Sequence, residues 1–301
     1  MTSSTSPTPL RVTANGIDFA YLQAGPADGP LALCLHGFPD HAPSYAQSGL
    51  LDALAGAGYH AVAPWMRGYA PTGLAPNGNY EVASLALDAL ALADELAGDG
   101  DAVLIGHDWG AIAAYTAVGH RPDRFSKLVT MAVPHQAALM TRFLTTPDQL
   151  QRSWYIFFFQ TPLAEGIVPM HDFAVIDKLW RDWSPGLVPD HDFMRALKDT
   201  LGSPGTIEAA IGYYRAMLGT TPGDPALADV GAAGNGPIAV PTLYLHGADD
   251  GCMGVDLVVE HELQPYFPAG LTLDVVPAAG HFMHLDQPEH VRRHVLAFLT
   301  G

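Results

Sequence analysis

The chain has 301 residues, of which 49% are hydrophobic and only 15% charged. This composition excludes a disordered chain, and the length predicts either about two domains of ~150 residues or one large domain with an insertion. Because 31 Asp and Glu face 14 Lys and Arg, the formal charge is −17. Nucleic-acid and membrane phosphates would be repelled by that charge, so we expect neither as a partner.

The N-terminus and the two cysteines indicate a soluble, intracellular enzyme. Residues 1–9 are rich in Ser, Thr and Pro and have no basic or apolar region, which predicts a disordered tail without a targeting signal. No stretch approaches the ~18 consecutive apolar residues of a membrane-spanning helix. Cys34 and Cys252 offer no disulfide framework, and Cys34 lies in an apolar run typical of a core thiol. We therefore expect a cytoplasmic location.

Strand and helix patterns alternate over the first 133 residues. An uninterrupted apolar run such as Leu31–Leu35 is typical of a strand buried on both faces of a parallel sheet. The predicted strands here are Arg11–Thr13, Ile17–Gln23, Leu31–Leu35, Tyr59–Pro64, Ala102–Ile105 and Lys127–Val133, and the predicted helices are Tyr45–Ala57, 81–97 and Ala111–Gly119. This alternation predicts an α/β fold with a mostly parallel sheet and helices on both faces.

The alternation stops between about Pro134 and Pro237, where aromatic residues are frequent and Pro and Gly interrupt a helical pattern. It resumes with two strands, a helix between them and a final helix, predicted at Thr242–His246, Leu271–Val276, Val255–Leu263 and from Pro288 onward. We predict that residues 10–133 and 238–301 form one α/β core. Residues 134–237 then form an inserted helical lid and its linker.

The segment Gly106–Ala111 lies directly between a predicted strand and a predicted helix, and its sequence is Gly-His-Asp-Trp-Gly-Ala. A sharp strand-to-helix turn needs small residues beside its tip, because a Cβ would contact neighbouring backbone, and it presents the tip side chain at a helix N-terminus. The tip here is Asp108. A lone aspartate at this place is most simply a helix cap, but the frame of small residues favours a nucleophile.

A carboxylate nucleophile specifies the class of reaction. It is ionised near neutral pH, needs no base, and can displace a leaving group from a saturated carbon. The resulting ester must then be hydrolysed, which requires an activated water and an oxyanion hole. His281 follows the strand Leu271–Val276 and can activate the water, while either Asp249 or Asp250, after the preceding strand, can orient the imidazole. The order nucleophile, acid, histidine is that of α/β-hydrolases.

The sequence His36-Gly37-Phe38-Pro39 ends the buried strand Leu31–Leu35. It is either a simple turn or half of an oxyanion hole, in which the backbone N–H groups of Phe38 and Trp109 converge. We expect an apolar substrate pocket nearby, with most other lid aromatics packing the lid onto the core. The predicted pocket residues are His36, Phe38, Pro39 and Trp154.

From about Leu10 to its end the sequence resembles the epoxide hydrolases of the α/β-hydrolase family. The H-G-x-P motif stands at His36–Pro39, the acidic elbow at Gly106–Ala111, and the histidine at Gly280-His281. The resemblance implies conversion of a small apolar epoxide and water into a vicinal diol, through a covalent ester on Asp108, without cofactor or metal. The family's acid usually lies three residues after the Gly that ends its strand, which favours Asp250 over Asp249.

The resemblance also implies two lid tyrosines that bind the epoxide oxygen, at Tyr155 and Tyr214. From the residues alone, both would be aromatic core positions, and Tyr213 is not distinguishable from Tyr214. One segment departs from the family pattern, since Trp65 stands where an acidic residue often precedes the arginine of the R-G-Y-G motif. This departure predicts that Arg67 lacks its usual acidic neighbour.

Three other functions are disfavoured. A haloalkane or haloacid dehalogenase would use the same Asp108, His281 and Asp250, but Phe38 stands where the haloalkane enzymes usually have Asn, and Trp109 where fluoroacetate enzymes have Arg. A catalytically silent binding protein of this fold is permitted but would not need every catalytic residue type. A serine esterase would need a G-x-S-x-G motif, which the sequence lacks. The sequence leaves the oligomeric state open, a homodimer included.

Overall fold

A single mixed sheet organises the protein, for which a computed structural model describes residues 9–301. The predicted tail thus lies outside the described residues, apart from Pro9. The strands are β1 (Leu10–Ala14), β2 (Ile17–Ala24), β3 (Leu31–Leu35), β4 (His60–Pro64), β5 (Ala102–His107), β6 (Lys127–Met131), β7 (Thr242–Gly247) and β8 (Leu271–Val276). Their order in space is β1-β2-β4-β3-β5-β6-β7-β8; β2 is antiparallel to both neighbours and every other pairing is parallel. The predicted α/β fold is confirmed.

The helices agree with the predicted ones except at two places. The predicted helix Tyr45–Ala57 is two helices, because Gly49 between them has a left-handed φ of 69°. The predicted helix Val255–Leu263 is a 3-10 turn followed by one short helix. The helices are α1 (Pro43–Gln47), α2 (Leu50–Gly56), α3 (Val82–Ala97), α4 (Trp109–His120), α5 (Gln136–Phe143), α6 (Pro147–Arg152), α7 (Trp154–Phe159), α8 (Ala164–Ile167), α9 (Met170–Trp183, left-handed at residues 171–173), α10 (His191–Leu201), α11 (Thr206–Met217), α12 (Ala228–Ala233), α13 (Glu260–Leu263), α14 (Met283–Asp286) and α15 (Pro288–Thr300). Within residues 9–301, none of them has both the length and the apolarity to cross a bilayer.

Helices cover both faces of the central strands, which is why these strands read as uninterrupted apolar runs. Every residue of β3, β4, β5 and β7 is buried. Helices α2 and α15 contact each other, and α3, α4 and α12 form a second group. Cys34 lies inside β3, where burial raises the pKa of its thiol. It is therefore an inert core residue.

Helices α5–α11 lie between β6 and β7 in the chain and contact the loops that follow the strands. The Trp180 indole N–H donates a hydrogen bond to the Pro39 carbonyl (2.8 Å), and the Gln149 amide donates one to the Cys252 carbonyl (2.8 Å). Helix α12, in the stretch predicted as lid and linker, lies instead against α4, where Gly119 meets the Ala233 backbone and leaves no space for a Cβ. The end of that stretch therefore lies against the core helices.

Arg67 does have an acidic partner, which corrects the expectation from the departing motif. Asp88 of α3 accepts two hydrogen bonds from the guanidinium, at 2.7 and 2.6 Å, and both side chains are almost fully buried. Asn15 donates a further bond to Asp88, and the Asn79 carbonyl accepts one from Arg67. Asp88 lies 21 residues after Arg67 in the chain, so the local motif could not reveal this partner.

Removing one member of this pair should destabilise the whole fold. Asp88→Ala leaves the guanidinium buried without its counter-charge, and we expect a loss of about 3–5 kcal/mol in the free energy of unfolding, measured by urea denaturation. Asp18→Ala removes the partner of Arg11 and is the matched control, because both of these side chains are half exposed; its loss should be about 0–1 kcal/mol. Equal losses in the two variants would contradict the conclusion that Arg67 and Asp88 form a buried ion pair.

Candidate active site

Asp108 occupies the turn between β5 and α4 with φ 52° and ψ −117°, a backbone conformation that strains a residue with a side chain. Two close backbone contacts force this turn. A Cβ at Gly106 would strike the Gly110 carbonyl, and one at Gly110 would strike the backbone at Leu35. The Asp108 carboxylate makes no capping hydrogen bond to α4. The simple helix-cap interpretation is therefore wrong.

The loop after β3 approaches the Asp108 carboxylate from the opposite side. The Phe38 backbone N–H donates a hydrogen bond to Asp108 Oδ1 at 2.8 Å. A Cβ at Gly37 would collide with the same carboxyl group, so this approach needs glycine. Trp109 is the first residue of α4, and the first N–H groups of a helix have no intrahelical acceptor. The Phe38 N–H is thus a backbone donor to the carboxylate, and the N–H of Trp109, the next residue after Asp108, has no acceptor within the helix.

His281 and Asp250 complete an Asp-His-Asp arrangement. His281, in the loop after β8, has its Nε2 3.5 Å from Asp108 Oδ2 and its Nδ1 3.0 Å from Asp250 Oδ2. Asp250 Oδ1 accepts hydrogen bonds from the Cys252 and Met253 N–H groups, at 2.7 and 2.8 Å, which hold the carboxylate in place. Asp249 is exposed to solvent. Of the two aspartates left open by the residues alone, Asp250 is the one at the imidazole.

The protonation of His281 is governed by two opposing effects. Complete burial of the ring lowers its pKa, but the charge of Asp250, acting together with Cys252 and Asp108, more than offsets this, so the pKa lies well above the ordinary 6.5. The hydrogen bond from Nδ1 to Asp250 also directs Nε2 toward Asp108. Nε2 has no hydrogen-bond partner among residues 9–301. The ring therefore presents one uncommitted nitrogen beside the carboxylate.

Two tyrosine hydroxyls face the same site from the lid. Tyr214 of α11 and Tyr155 of α7 are both 2% exposed, and their ring centroids lie 5.6 Å apart. Within the described chain, the Tyr214 hydroxyl has no hydrogen-bond partner. Burial raises the pKa of both phenols well above 10, so both keep their proton. The neighbouring Tyr213 is committed elsewhere, because its hydroxyl donates to the Arg67 carbonyl at 2.6 Å.

The four predicted pocket residues are placed differently from one another. The Phe38 ring contacts the Tyr214 ring edge-on at 5.5 Å between centroids, beside the carboxylate. His36 stabilises the loop, because its Nδ1 donates a hydrogen bond to the Gly37 carbonyl and its Nε2 accepts one from the Met66 N–H. Pro39 supplies the carbonyl that binds Trp180. Trp154 lies farther out: its indole is 37% exposed and lines a surface cleft.

That surface cleft has a volume of about 660 Å³. Trp183 lies in its wall, and the same indole contacts the His281 ring and the Tyr155 ring, with centroids 5.0 and 4.9 Å apart. Asp108 is only 4% exposed and His281 is fully buried. Reactants can therefore reach the carboxylate only when side chains such as Trp183 move.

Sequence reasoning missed Cys252 as a site residue. Its thiol lies 3.4 Å from the Tyr155 hydroxyl, the one hydrogen-bond partner of that hydroxyl in the described chain. A cysteine two residues after the acid carries no signal in a single sequence, since burial of any small residue would look the same.

A second group that was missed lies beneath the site. His107, Asp40 and His284 are buried together, and each has a ring nitrogen or carboxylate oxygen without a hydrogen-bond partner. Burial lowers the pKa of His107 to about 3, so the ring is neutral. Its Nε2 donates to the His281 carbonyl at 2.9 Å and so supports the loop that carries His281.

Three clusters in the described part of the chain have ligand atoms close enough to hold a metal ion, each within 4.8 Å of one another. Two are buried, and one of these includes His281 and Asp250. The third lies on the surface. The clusters are Asp40, His107 and His284; Asp250, Cys252 and His281; and Asp274, His290 and His294.

The chain is similar to known proteins in sequence and in fold. The chain matches the model of the alpha/beta hydrolase fold family over residues 30–288. It is 33% identical to epoxide hydrolase 3 of Xenopus tropicalis, over 96% of this chain and 77% of that protein. It is 30% identical to the AB hydrolase superfamily protein YfhM of Bacillus subtilis, over 96% and 97%. The crystal structure of a candidate epoxide hydrolase from Klebsiella pneumoniae superposes with a TM-score of 0.85 at 26% identity, over 96% of each chain.

The charge of Asp250 should control the protonation of His281. Asp250→Asn removes the largest of the effects that raise the pKa of the imidazole and leaves the burial that lowers it, so we expect the pKa to fall. An NMR pH titration of the ring resonances, with Asp249→Asn as the control, measures this change. An unchanged His281 pKa in Asp250→Asn would show that the two side chains are not paired in solution.

Proposed function

This chain belongs to the epoxide hydrolases of the α/β-hydrolase fold family, and we propose that it hydrolyses small apolar epoxides through a covalent ester on Asp108. One observation carries the proposal. The buried Asp108 carboxylate is contacted by the Phe38 N–H at 2.8 Å and lies 3.5 Å from the uncommitted nitrogen of His281. A carboxylate with an imidazole on one side and an amide donor on the other suits an attack followed by hydrolysis.

The first step opens the epoxide ring. An oxygen of the Asp108 carboxylate attacks one ring carbon, the carbon–oxygen bond of the epoxide breaks, and an ester forms. The hydroxyls of Tyr155 and Tyr214 donate hydrogen bonds to the departing oxygen, and one of them transfers its proton to the alkoxide. The high pKa of the buried phenols supports this role, because a phenol that stays protonated is available as a donor.

The second step releases the diol. His281 takes a proton from a water molecule, and the resulting hydroxide attacks the ester carbonyl of Asp108. The N–H groups of Phe38 and Trp109 stabilise the oxyanion, a contribution worth about 10²–10³-fold for one donor. The tetrahedral intermediate then expels the diol oxygen, which takes the proton of the added hydroxyl, and the carboxylate is restored. The resting proton of His281 passes to the tyrosine that gave up its own, and the proton taken from water replaces it on the imidazole.

Ester formation also prepares His281 for the second step. In the resting site two carboxylates flank the imidazole and favour its protonated form. Esterification removes the negative charge of Asp108, so the imidazole loses one of these two neighbours and becomes easier to deprotonate. His281 can thus act as a base at the stage at which water must be deprotonated.

Apolar side chains surround the proposed reacting groups and support an apolar substrate. The rings of Phe38 and Trp109 contact Tyr214, and those of Phe159 and Trp183 contact Tyr155. Phe38 has no side-chain donor for a departing halide, which favours an epoxide over a haloalkane. The enclosed site excludes bulk water, so the hydrogen bonds to the departing oxygen act in a medium of low dielectric constant.

The two adjacent tyrosines should respond differently to loss of their hydroxyls. Tyr214→Phe removes a donor to the developing alkoxide, and we expect kcat for diol formation from styrene oxide to fall about 10²-fold. Tyr213→Phe is the matched control, because its hydroxyl is bound to Arg67; it should leave kcat unchanged and lower stability by about 1 kcal/mol. A larger loss of kcat in Tyr213→Phe than in Tyr214→Phe would mean that Tyr213, and not Tyr214, donates to the epoxide oxygen.

The covalent step is tested by one turnover in ¹⁸O-water with excess enzyme and styrene oxide. We expect the label to appear in the Asp108 carboxylate, by mass spectrometry of the peptide, and the first diol to carry unlabelled oxygen. Asp108→Asn is the control and should form no ester. Label in the first diol would mean that water attacks the epoxide directly, and bromide release from bromoalkanes without diol formation would indicate a dehalogenase.

A further inference from the structure

Two histidines and one aspartate meet on the surface where β8 and α15 pack together. His290 and His294 are four residues apart on α15, so their side chains lie on the same face of the helix. Their rings are stacked, with centroids 4.0 Å apart and planes at 17°. Asp274 of β8 faces both: its Oδ2 lies 2.6 Å from His290 Nε2 and 3.7 Å from His294 Nε2.

The hydrogen bonding of His294 leaves one of its nitrogens as a free ligand. Its Nδ1 lies 2.8 Å from the His290 carbonyl oxygen, which can only accept, so Nδ1 carries the proton of the neutral ring. Nε2 therefore presents a lone pair toward the Asp274 carboxylate, at a distance too long for a hydrogen bond. A cation bound to this nitrogen, whether a proton or a metal ion, is also attracted by the carboxylate.

We propose that Asp274, His290 and His294 bind a divalent transition-metal ion such as Zn²⁺ or Ni²⁺. Two imidazole nitrogens and one carboxylate oxygen suit such ions, whereas Mg²⁺ and Ca²⁺ prefer oxygen ligands. Bonds of about 2.0–2.2 Å in tetrahedral geometry place neighbouring ligand atoms roughly 3.4 Å apart. The pair at 3.7 Å is close to this value, and the pair at 2.6 Å needs a small rotation of the carboxylate when the ion replaces the shared proton.

Partial exposure makes this cluster accessible to an ion. The three side chains are 21–35% exposed, so water can fill the remaining coordination positions. The two other clusters of metal-binding residue types are buried, and one of them contains Asp250 and His281. The surface cluster has no part in the proposed reaction.

The position of the site predicts what a bound ion would do. The loop that carries His281 leaves the end of β8, and α15 begins soon after it, at Pro288. An ion held by Asp274 and by the two α15 histidines would join the two elements that flank this loop. Since a ligand that binds only the folded state stabilises it, the ion should raise the unfolding temperature of the protein.

The test uses the full chain without an affinity tag, first freed of metal with a chelator. Isothermal titration with ZnCl₂ and with NiCl₂, in the presence of excess MgCl₂, should show one site removed by either His290→Gln or His294→Gln. We expect each substitution to weaken binding at least about tenfold and to abolish the rise in unfolding temperature. His191→Gln is the matched control: this exposed histidine lies 3.4 Å from Asp192 and belongs to none of the three clusters.

Several outcomes separate this site from alternatives. Circular dichroism of the metal-free variants, with unchanged unfolding temperatures, shows that the substitutions leave the fold intact. Asp274→Asn keeps the shape of the side chain and should weaken binding while retaining both imidazoles. The proposal is overturned if the metal-free wild type binds neither ion, or if both histidine variants bind with wild-type affinity, which would assign the ion to a buried cluster.

Discussion

A carboxylate held at a strained turn, with an amide hydrogen and an imidazole on its two sides, is the constraint on which the rest of the structure depends. The left-handed backbone at Asp108 is unfavourable for a side-chain-bearing residue, and the parallel strands on either side of β5 hold it there. Glycines at 37, 106 and 110 are required because each faces another group too closely for a Cβ. The central sheet therefore holds the Asp108 carboxylate in contact with the Phe38 N–H and beside the His281 ring.

Burial determines how the surrounding groups behave. Desolvation raises the pKa of the phenols and lowers that of His107, so these groups stay neutral. His281 is the exception, because the pKa-raising effects of Asp250, Cys252 and Asp108 together outweigh desolvation. Most buried polar atoms of a folded protein are hydrogen-bonded. The unpartnered Tyr214 hydroxyl and His281 Nε2 therefore mark the places where a reactant would complete the hydrogen bonding.

Tyr213 and Tyr214 are adjacent on α11 but make different contacts, and the contact of Tyr213 joins the lid to the core. Tyr213 binds the carbonyl of Arg67, whose side chain forms the buried pair with Asp88, so the lid is fastened to a core loop that is itself anchored by an ion pair. Tyr214, one residue later, points its hydroxyl into the site. A helix rotates about 100° per residue, so adjacent side chains face different surroundings.

The alternation of strands and helices, the helical stretch between β6 and β7, and the residue types at Asp108, Phe38 and His281 can all be read from the amino-acid sequence. Each of these is a local pattern of hydrophobic period, glycine spacing or motif, and local patterns are legible in one chain. Other features appear only in the folded protein: the Tyr213 hydroxyl binds Arg67, Arg67 pairs with Asp88, Trp154 lies in a surface cleft, and Cys252 contacts Tyr155. The fold likewise assembles Asp274 with the two α15 histidines. These contacts join residues that are distant in the chain or depend on the rotation of a helix about its axis, and both are fixed only when the elements pack against one another.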